Sequence, residues 1–341
     1  MGYMKTTGRL IFFSVFSIGL LLGAPTWGRS ADEARMIAGA KKEGKLVWYT
    51  SMAIDTSKPM LEAFMKRYPF IKVQFIRTGS AQLINRVTTE TLTGKWLFDV
   101  VSTSAVEVVA KKNILVRYNS PERKVFDAAF KDANGLWTGV YNNNLVLTYN
   151  TALVSEKEVP KDYDDLLDPK WKGKILMDTA DYNWYGTLVN VWGKEKADRY
   201  MKRLARQDPQ FRRGHALIGQ LIAAGATPLG WAYNFRVERM KKDGAPVEWV
   251  DSFNPIMVTL NGMGLSRKAT NPNSAKLFIN FVLSKKGQEM VRGMSRIPSR
   301  SDVKPLVARM DQSKLKLKAV PKDVYYHLDK YAKDYRKVFG F

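Results

Sequence analysis

The sequence predicts a two-lobed α/β protein, each lobe a central, mainly parallel sheet flanked by helices, with hinge strands between the lobes. Three observations predict it. A βαβαβα pattern opens the chain after residue 30, and a second set of elements lies between two long extended runs, GVYNNNLVLTYNTALV and PIMVTLNGMGLS. The third is length, since 341 residues exceed one ordinary core.

The first thirty residues stand apart. Lys5 and Arg9 precede LIFFSVFSIGLLLGA, fifteen residues without a charge, and the small-residue exit APTWGRSA follows. This is the form of a secretory signal peptide cleaved near residues 28–31, which places the mature protein in the periplasm. The rival reading is a membrane anchor, but the apolar run is short of the ~20 residues that a span needs. The chain has no cysteine, which excludes disulfides, thiolate metal sites, cysteine nucleophiles and a lipidated tether.

From residue 31 the elements follow in order. ADEARMIAGAKKEG reads as a helix closed by Gly44, and KLVWYT as a buried strand. SKPMLEAFMKRYP is an amphipathic helix with Met60, Leu61, Phe64 and Met65 on one face. IKVQFI is a strand, SAQLINRVTTETLTG a helix stopped at Gly94, FDVVS a strand and AVEVVAKKN a helix. The run from Gly139 then leaves the first lobe. The second set begins with DYDDLLD, a capped short helix without the spacing of a calcium loop, and strand KILMD. Helices follow from about Asn183, through KADRYMKRLA and through HALIGQLIAAG, with strands PLGWAY and VEWV. The run from Pro255 returns, helices NSAKLFINFVLS and KKGQEMVRGM complete lobe 1, and VPKDVYYHLDKYAKDYRKVFG reads as one final helix. The expected division is a leader 1–30, lobe 1 from 31–140 plus 255–310, an inserted lobe 2 at 141–254, and a C-terminal helical segment 311–341.

The formal charge is +23, or about +20 without the leader's Lys5, Arg9 and Arg29. Basic residues interleave with acids, as in KEKADRYMKR and RVERMKKD. That is the pattern of solvated helix faces rather than of a nucleic-acid footprint. The surplus attracts anionic ligands or surfaces over long range, although a basic protein without such a partner accounts for it equally well.

In open parallel sheets, ligands bind beyond the carboxyl ends of the strands, at helix N-termini. Three hydroxyl-rich loops hold that place in lobe 1: Tyr49-Thr50-Ser51, Thr78-Gly79-Ser80 and Ser102-Thr103-Ser104. A single Ser or Thr there is an ordinary cap, whereas three converging loops make a polar ligand surface. Tyr49, Ser51, Ser80, Ser102, Thr103 and Ser104 are the candidates. Lobe 2 offers DTADYNWYGT, where Asp181, Tyr182, Trp184 and Tyr185 open a helix after KILMD. Aromatics there stack on a planar or sugar-like ligand, and at least two of the four are expected to close the helix against its neighbours instead. GWAYNFRV adds Tyr233 and Arg236, with Trp231 read as a packing residue.

Enzyme signatures are absent: there is no G-x-S-x-G, H-E-x-x-H, P-loop or post-strand G-x-G-x-x-G. His215 and His327 are the only histidines, and His215 at a helix start reads as packing or capping. No catalytic residue, cofactor or resident metal is expected.

The ordered phrases EGKLVWYTS, LEAFMKRYP, IKVQFIRTGS, FDVVSTS, LVLTYNTALV, DYDDLLDPKWKGKI, GHALIGQLIAAG and AKLFINFVLSKKGQEM span the mature chain. Together they resemble the periplasmic solute-binding proteins of ABC importers, in the branch that contains the ferric-ion-binding proteins. The resemblance implies a type II periplasmic-binding-protein-like fold that closes on a small-molecule solute and delivers it to a membrane permease. It implies a monomer, with no nucleic-acid partner. The family's iron site uses a His or Tyr after the first strand, an acidic or aromatic residue after the FDVV-like strand, and a Tyr-Tyr pair in lobe 2. Here YTSMAID has no histidine, STSAVE puts Ser104 near the second position, and WAYNFR has only Tyr233. Ferric ion wants several anionic oxygen or imidazole ligands. The departures favour a small organic or phosphorylated anion, with Arg213 and Arg236 as its cationic partners. A cationic or planar solute on Asp181 and the aromatics, a ferric ion or chelate, a secreted enzyme on the same fold, and an envelope or nucleic-acid binder remain as alternatives.

Overall fold

The two long extended runs pair with each other, and the lobes grow from opposite sides of that pair. The structure, a computed structural model, describes residues 1–2 and 31–341, so the expected leader lies outside the described residues. Lobe 1 opens with α1 (Ala31–Glu43), β1 (Lys45–Thr50), α2 (Ile54–Arg67), β2 (Lys72–Arg77), α3 (Ser80–Leu92), β3 (Val100–Thr103), α4 (Val106–Lys111) and the short β4 (Leu115–Val116). Strand β5 (Thr138–Asn150) crosses to lobe 2, which contains β6 (Ile175–Asp178), α5 (Tyr182–Trp192), α6 (Lys194–Ala205), β7 (Gln210–Arg212) and α7 (His215–Ala223). It continues with β8 (Leu229–Tyr233), α8 (Asn234–Lys242) and β9 (Val247–Trp249). Strand β10 (Ile256–Ser266) crosses back to α9 (Pro272–Leu283), α10 (Lys285–Gly293) and β11 (Ile297–Pro298). The chain ends in β12 (Leu317–Ala319), α11 (Lys322–Tyr326) and α12 (Leu328–Phe339).

One sheet runs through both lobes in the order β2-β1-β3-β10-β5-β8-β6-β7. Strands β2, β1 and β3 are parallel, as are β8, β6 and β7, and β10 and β5 join the two sets in antiparallel fashion. Helices cover both faces, so β1 and β3 are buried along most of their length. In lobe 1, Trp48 and Phe64 each meet Phe278 edge-on with ring centroids 5.0 Å apart. In lobe 2, Tyr163 packs against Trp184, Trp231 and Phe253.

Helix ends follow local chemistry. Gly44 and Gly94 adopt positive φ after α1 and α3, the left-handed stop that glycine allows without strain. The α9 N-terminus is capped across the chain by Glu43, which accepts from the backbone N–H of Asn273 and Ser274. Helix α2 starts earlier than its periodicity implies, because the Ala53 carbonyl accepts from both Thr56 and Ser57. Met65 lies at the edge of the α2 stripe set by Met60, Leu61 and Phe64, and remains exposed. The expected final helix is two helices, broken at His327, and α12 docks on lobe 2, where the Tyr335 hydroxyl donates to the Asp178 carbonyl at 2.9 Å.

Gly230 of β8 sits beside Leu176 of β6. A Cβ at Gly230 would stand 2.7 Å from the Leu176 carbonyl oxygen, too close for the strand spacing. Gly230→Ala should therefore destabilise the protein by about 1–3 kcal/mol. A thermal melt checks this: the midpoint should fall by roughly 2–10 °C, and an unchanged midpoint contradicts the assigned packing.

Candidate functional site

The three hydroxyl loops of lobe 1 converge. Ser80, the first residue of α3, donates to Ser51 at 3.0 Å and shares a 2.7 Å hydrogen bond with Ser104. The loops after β1, β2 and β3 thus meet through one chain of hydroxyls beside the start of α3, whose free N–H groups favour negative charge.

The other loop candidates lie on strands covered on both faces and are buried. Tyr49 stacks on Phe98, and its hydroxyl lies between Glu90 and Arg86 on the outer side of the sheet. Ser102 accepts from the Trp48 indole at 2.9 Å and pairs with Thr50 at 2.7 Å. Thr103 is fully buried and accepts from the Ala105 N–H. These three shape the rim from within and do not present side chains to the cleft.

In lobe 2, Asp181 is buried and bonds His215 Nε2 at 3.0 Å, while His215 Nδ1 lies 3.1 Å from the Trp231 carbonyl. Burial by itself would depress the His215 pKa, but the Asp181 carboxylate overcomes it and pushes the imidazole up to about 9. The His215 ring packs edge-on against Tyr233 at 4.6 Å. Burial, with the Asp181 charge adding to it, pushes the Tyr233 phenol above its ordinary range. Trp184 is a core residue, the Tyr185 hydroxyl bonds Asp198 on α6, and Tyr182 accepts from Arg336 of α12. The aromatic start of α5 therefore serves helix packing. Asp181 Oδ1 is engaged by His215, while its Oδ2 is buried without a hydrogen-bond partner among the described residues.

Two largely buried guanidiniums lie between the lobes. Arg296, in the turn from α10 to β11, is only 3% exposed. Its guanidinium donates to Thr56 Oγ1 of lobe 1 and to Asn143 Oδ1 of the hinge at 2.9 Å, and it covers the Phe235 ring of lobe 2 at 3.9 Å and the Tyr141 ring at 4.5 Å. Arg236 covers Phe235 at 5.2 Å, and burial followed by repulsion from Arg296 holds its pKa below the usual guanidinium range. Neither Arg236 nor Arg296 has a carboxylate ion-pair partner among the described residues. The nearby Asp55 bonds Arg239 at 2.8 Å, which ties α2 to α8 across the lobes, and it also attracts Arg296 and Arg236 from beyond ion-pair distance. Buried Tyr141 feels Arg296, Arg236 and Arg77 against that one carboxylate. Sequence reading singled out Tyr233 and Arg236 but missed Arg296, Thr56, Tyr141 and Asn143. No local motif marks Arg296, which reaches the site only through the β11–β5 pairing. Arg213 is exposed on the loop before α7.

On the other side, burial raises the pKa of Glu107 on α4, and burial with the charges of Glu107 and Tyr233 raises that of Tyr325 on α11. Among the described residues no group of three or more His, Cys, Asp or Glu side chains could hold a metal ion. No described helix is long and apolar enough to cross a membrane.

Two α/β lobes on a shared hinge, with a polar and positively charged floor between them, define a solute receptor of the type II periplasmic-binding-protein class. The chain belongs to the bacterial extracellular solute-binding proteins, matching that family over residues 59–317. It is similar to the putative 2-aminoethylphosphonate-binding periplasmic protein of Salmonella typhimurium strain LT2, with 26% identity over 314 residues, 87% of this chain and 86% of that one. Its fold matches that of AfuA from Actinobacillus pleuropneumoniae, solved with fructose-6-phosphate bound, at a TM-score of 0.76 and 24% identity, covering 87% of this chain and 99% of that one. It also matches that of iron-bound HitA from Pseudomonas aeruginosa at a TM-score of 0.77 and 20% identity, covering 86% and 99%. The protein is the solute-binding component of an ABC importer, and these relatives are binding proteins rather than enzymes.

The His215–Asp181 pair has a pH signature. An imidazole raised from about 6.5 to about 9 contributes stability that is full below the unfolded value and lost as pH rises through the folded one. The wild-type melting temperature should fall between pH 7 and about 9.5, and His215→Gln should flatten that fall. Melts in a series of buffers check it, and a wild-type curve without the decline contradicts the ion pair.

Proposed function

We propose that the cleft captures a small organic or phosphorylated anion and that the closed receptor hands it to a permease in the cytoplasmic membrane. The observation that carries this reading is the pair Arg236 and Arg296, two guanidiniums held between the lobes without carboxylate partners. Burying such charges is costly unless an anion meets them, and guanidinium matches carboxylate or phosphoryl oxygens in two-point geometry. The Ser51-Ser80-Ser104 hydroxyls add donors from the opposite wall. The organophosphonate and sugar phosphate named for the two relatives above are chemically compatible with this set. The receptor acts without catalysis, as a monomer, after removal of its leader near residues 28–31. Lobe 1 comprises residues 31–140 with 255–310, and lobe 2 residues 141–254.

A ferric ion or ferric chelate is the second reading. Tyr325 feels the charges of both Glu107 and Tyr233, and the three would supply oxygen donors, with Tyr325 standing in for the missing tyrosine partner.

Thermal shift with inorganic phosphate, 2-aminoethylphosphonate, fructose 6-phosphate, citrate and Fe(III) separates the two. A rise with phosphorylated or carboxylate anions is expected. A rise with Fe(III) alone, accompanied by a tyrosinate-to-iron absorption band, overturns the anion reading. For whichever anion binds, Arg236→Ala should weaken affinity roughly 10- to 150-fold in calorimetry, the loss of one charged hydrogen-bonding contact. An unchanged affinity would remove Arg236 from the site.

A further inference from the structure

The C-terminal residues do more than cover lobe 2. Helix α12 is fixed to that lobe by Tyr335 on the Asp178 carbonyl, by Arg336 on the Tyr182 hydroxyl and by Asp334 with Lys194 at 3.2 Å. Helix α11, just before it, packs on α5 of lobe 2 and on α4 of lobe 1. Its Val324 fills the space over Gly186 of α5, where an added Cβ would come within 2.6 Å of the valine Cγ1. Two residues on, Tyr326 turns to the other lobe and receives Lys111 Nζ from α4, 3.7 Å from its ring centroid. Lys322 of α11 also attracts Glu107 of α4. The lobe 2 attachment of the tail is multiple and includes the buried Tyr335 and Val324, whereas its lobe 1 attachment through Tyr326 and Lys111 is exposed and cationic.

We propose that α11 is an interlobe clasp, moving with lobe 2 and holding lobe 1 through Tyr326 on Lys111, so that the C-terminal tail sets part of the balance between open and closed lobes. When β5 and β10 bend, α12 stays with α5 and the α11–α4 contact must part. The Asp55–Arg239 bond closes one edge of the interlobe space, and the clasp closes another. A receptor binds solute in proportion to its closure-competent population, so these residues tune affinity without touching the solute. The inference rests on the two-lobed receptor reading and is independent of which solute is carried.

The absence of native cysteine makes the test direct. Ile54→Cys and Leu217→Cys, one exposed position on each lobe, accept spin labels for electron–electron distance measurement on protein unfolded, washed and refolded without added solute. Tyr326→Ala and Lys111→Met should each shift the open-to-closed ratio about 2- to 5-fold towards long distances, as expected for one exposed cation–π contact. The double variant should shift it no further than either single one, and Tyr326→Phe should match wild type. Lys111 is exposed, so its substitution carries the test even where Tyr326→Ala fails to fold. Distances unchanged in Lys111→Met, or additive effects in the double variant, overturn the proposal. Failure of every anion in the ligand panel would leave these distances as they are, so the two readings fail separately.

Discussion

The antiparallel pairing of β5 with β10 is the constraint from which the remaining geometry follows. Because the sheet continues through this pair, each lobe inherits its strand direction from it, and the two lobes present the carboxyl ends of their parallel strands to each other. The register shifts between Asn261 and Gly262, a bulge that increases local twist where the lobes diverge. The crossing point is polar for the middle of a sheet, with Asn142, Asn143, Asn144 and Asn261 buried or nearly so. Both amide atoms of Asn144 lack hydrogen-bond partners among the described residues, as does the Asn261 oxygen. Such groups forgo stability at the place where bending must occur, while the apolar cores on either side keep the lobes rigid.

Electrostatics then gives the cleft its character. Asp181 pairs with His215 and Asp55 with Arg239, while Arg236 and Arg296 both lie over Phe235 without a carboxylate at ion-pair distance among the described residues. In a partly dehydrated site this imbalance is worth far more than the diffuse excess of basic residues on the surface. Arg296, which bridges Thr56 and Phe235, and Arg239, which holds Asp55, also tie the lobes together.

Much of the fold was legible because its signals are local. Gly44 and Gly94 end helices, β1 and β3 carry the apolar runs LVWY and VV, and the two long extended runs announced the crossings. The convergence of Ser51, Ser80 and Ser104 followed from parallel-sheet logic alone. What stayed hidden depended on side-chain direction or on distant pairing. Tyr49, Ser102 and Thr103 were read as loop residues, yet each sits near the end of a strand whose two faces are both covered. Arg296 carries no local mark, and its role comes from β11 joining β5. The break at His327 was invisible because both α11 and α12 have helical periodicity, and only docking against α4 and α5 separates them. The pairing of His215 with Asp181 joins two helix starts that sequence places far apart.

The account stands on an anion held by arginines between the lobes, and the most direct measurement is native mass spectrometry of the protein purified gently from the cells that export it. The bound mass, released by denaturation and identified, should be a small acidic or phosphorylated molecule, and it should be lost from Arg236→Ala purified in parallel. A bound ferric ion, or a cationic or neutral solute retained equally by Arg236→Ala, would contradict it.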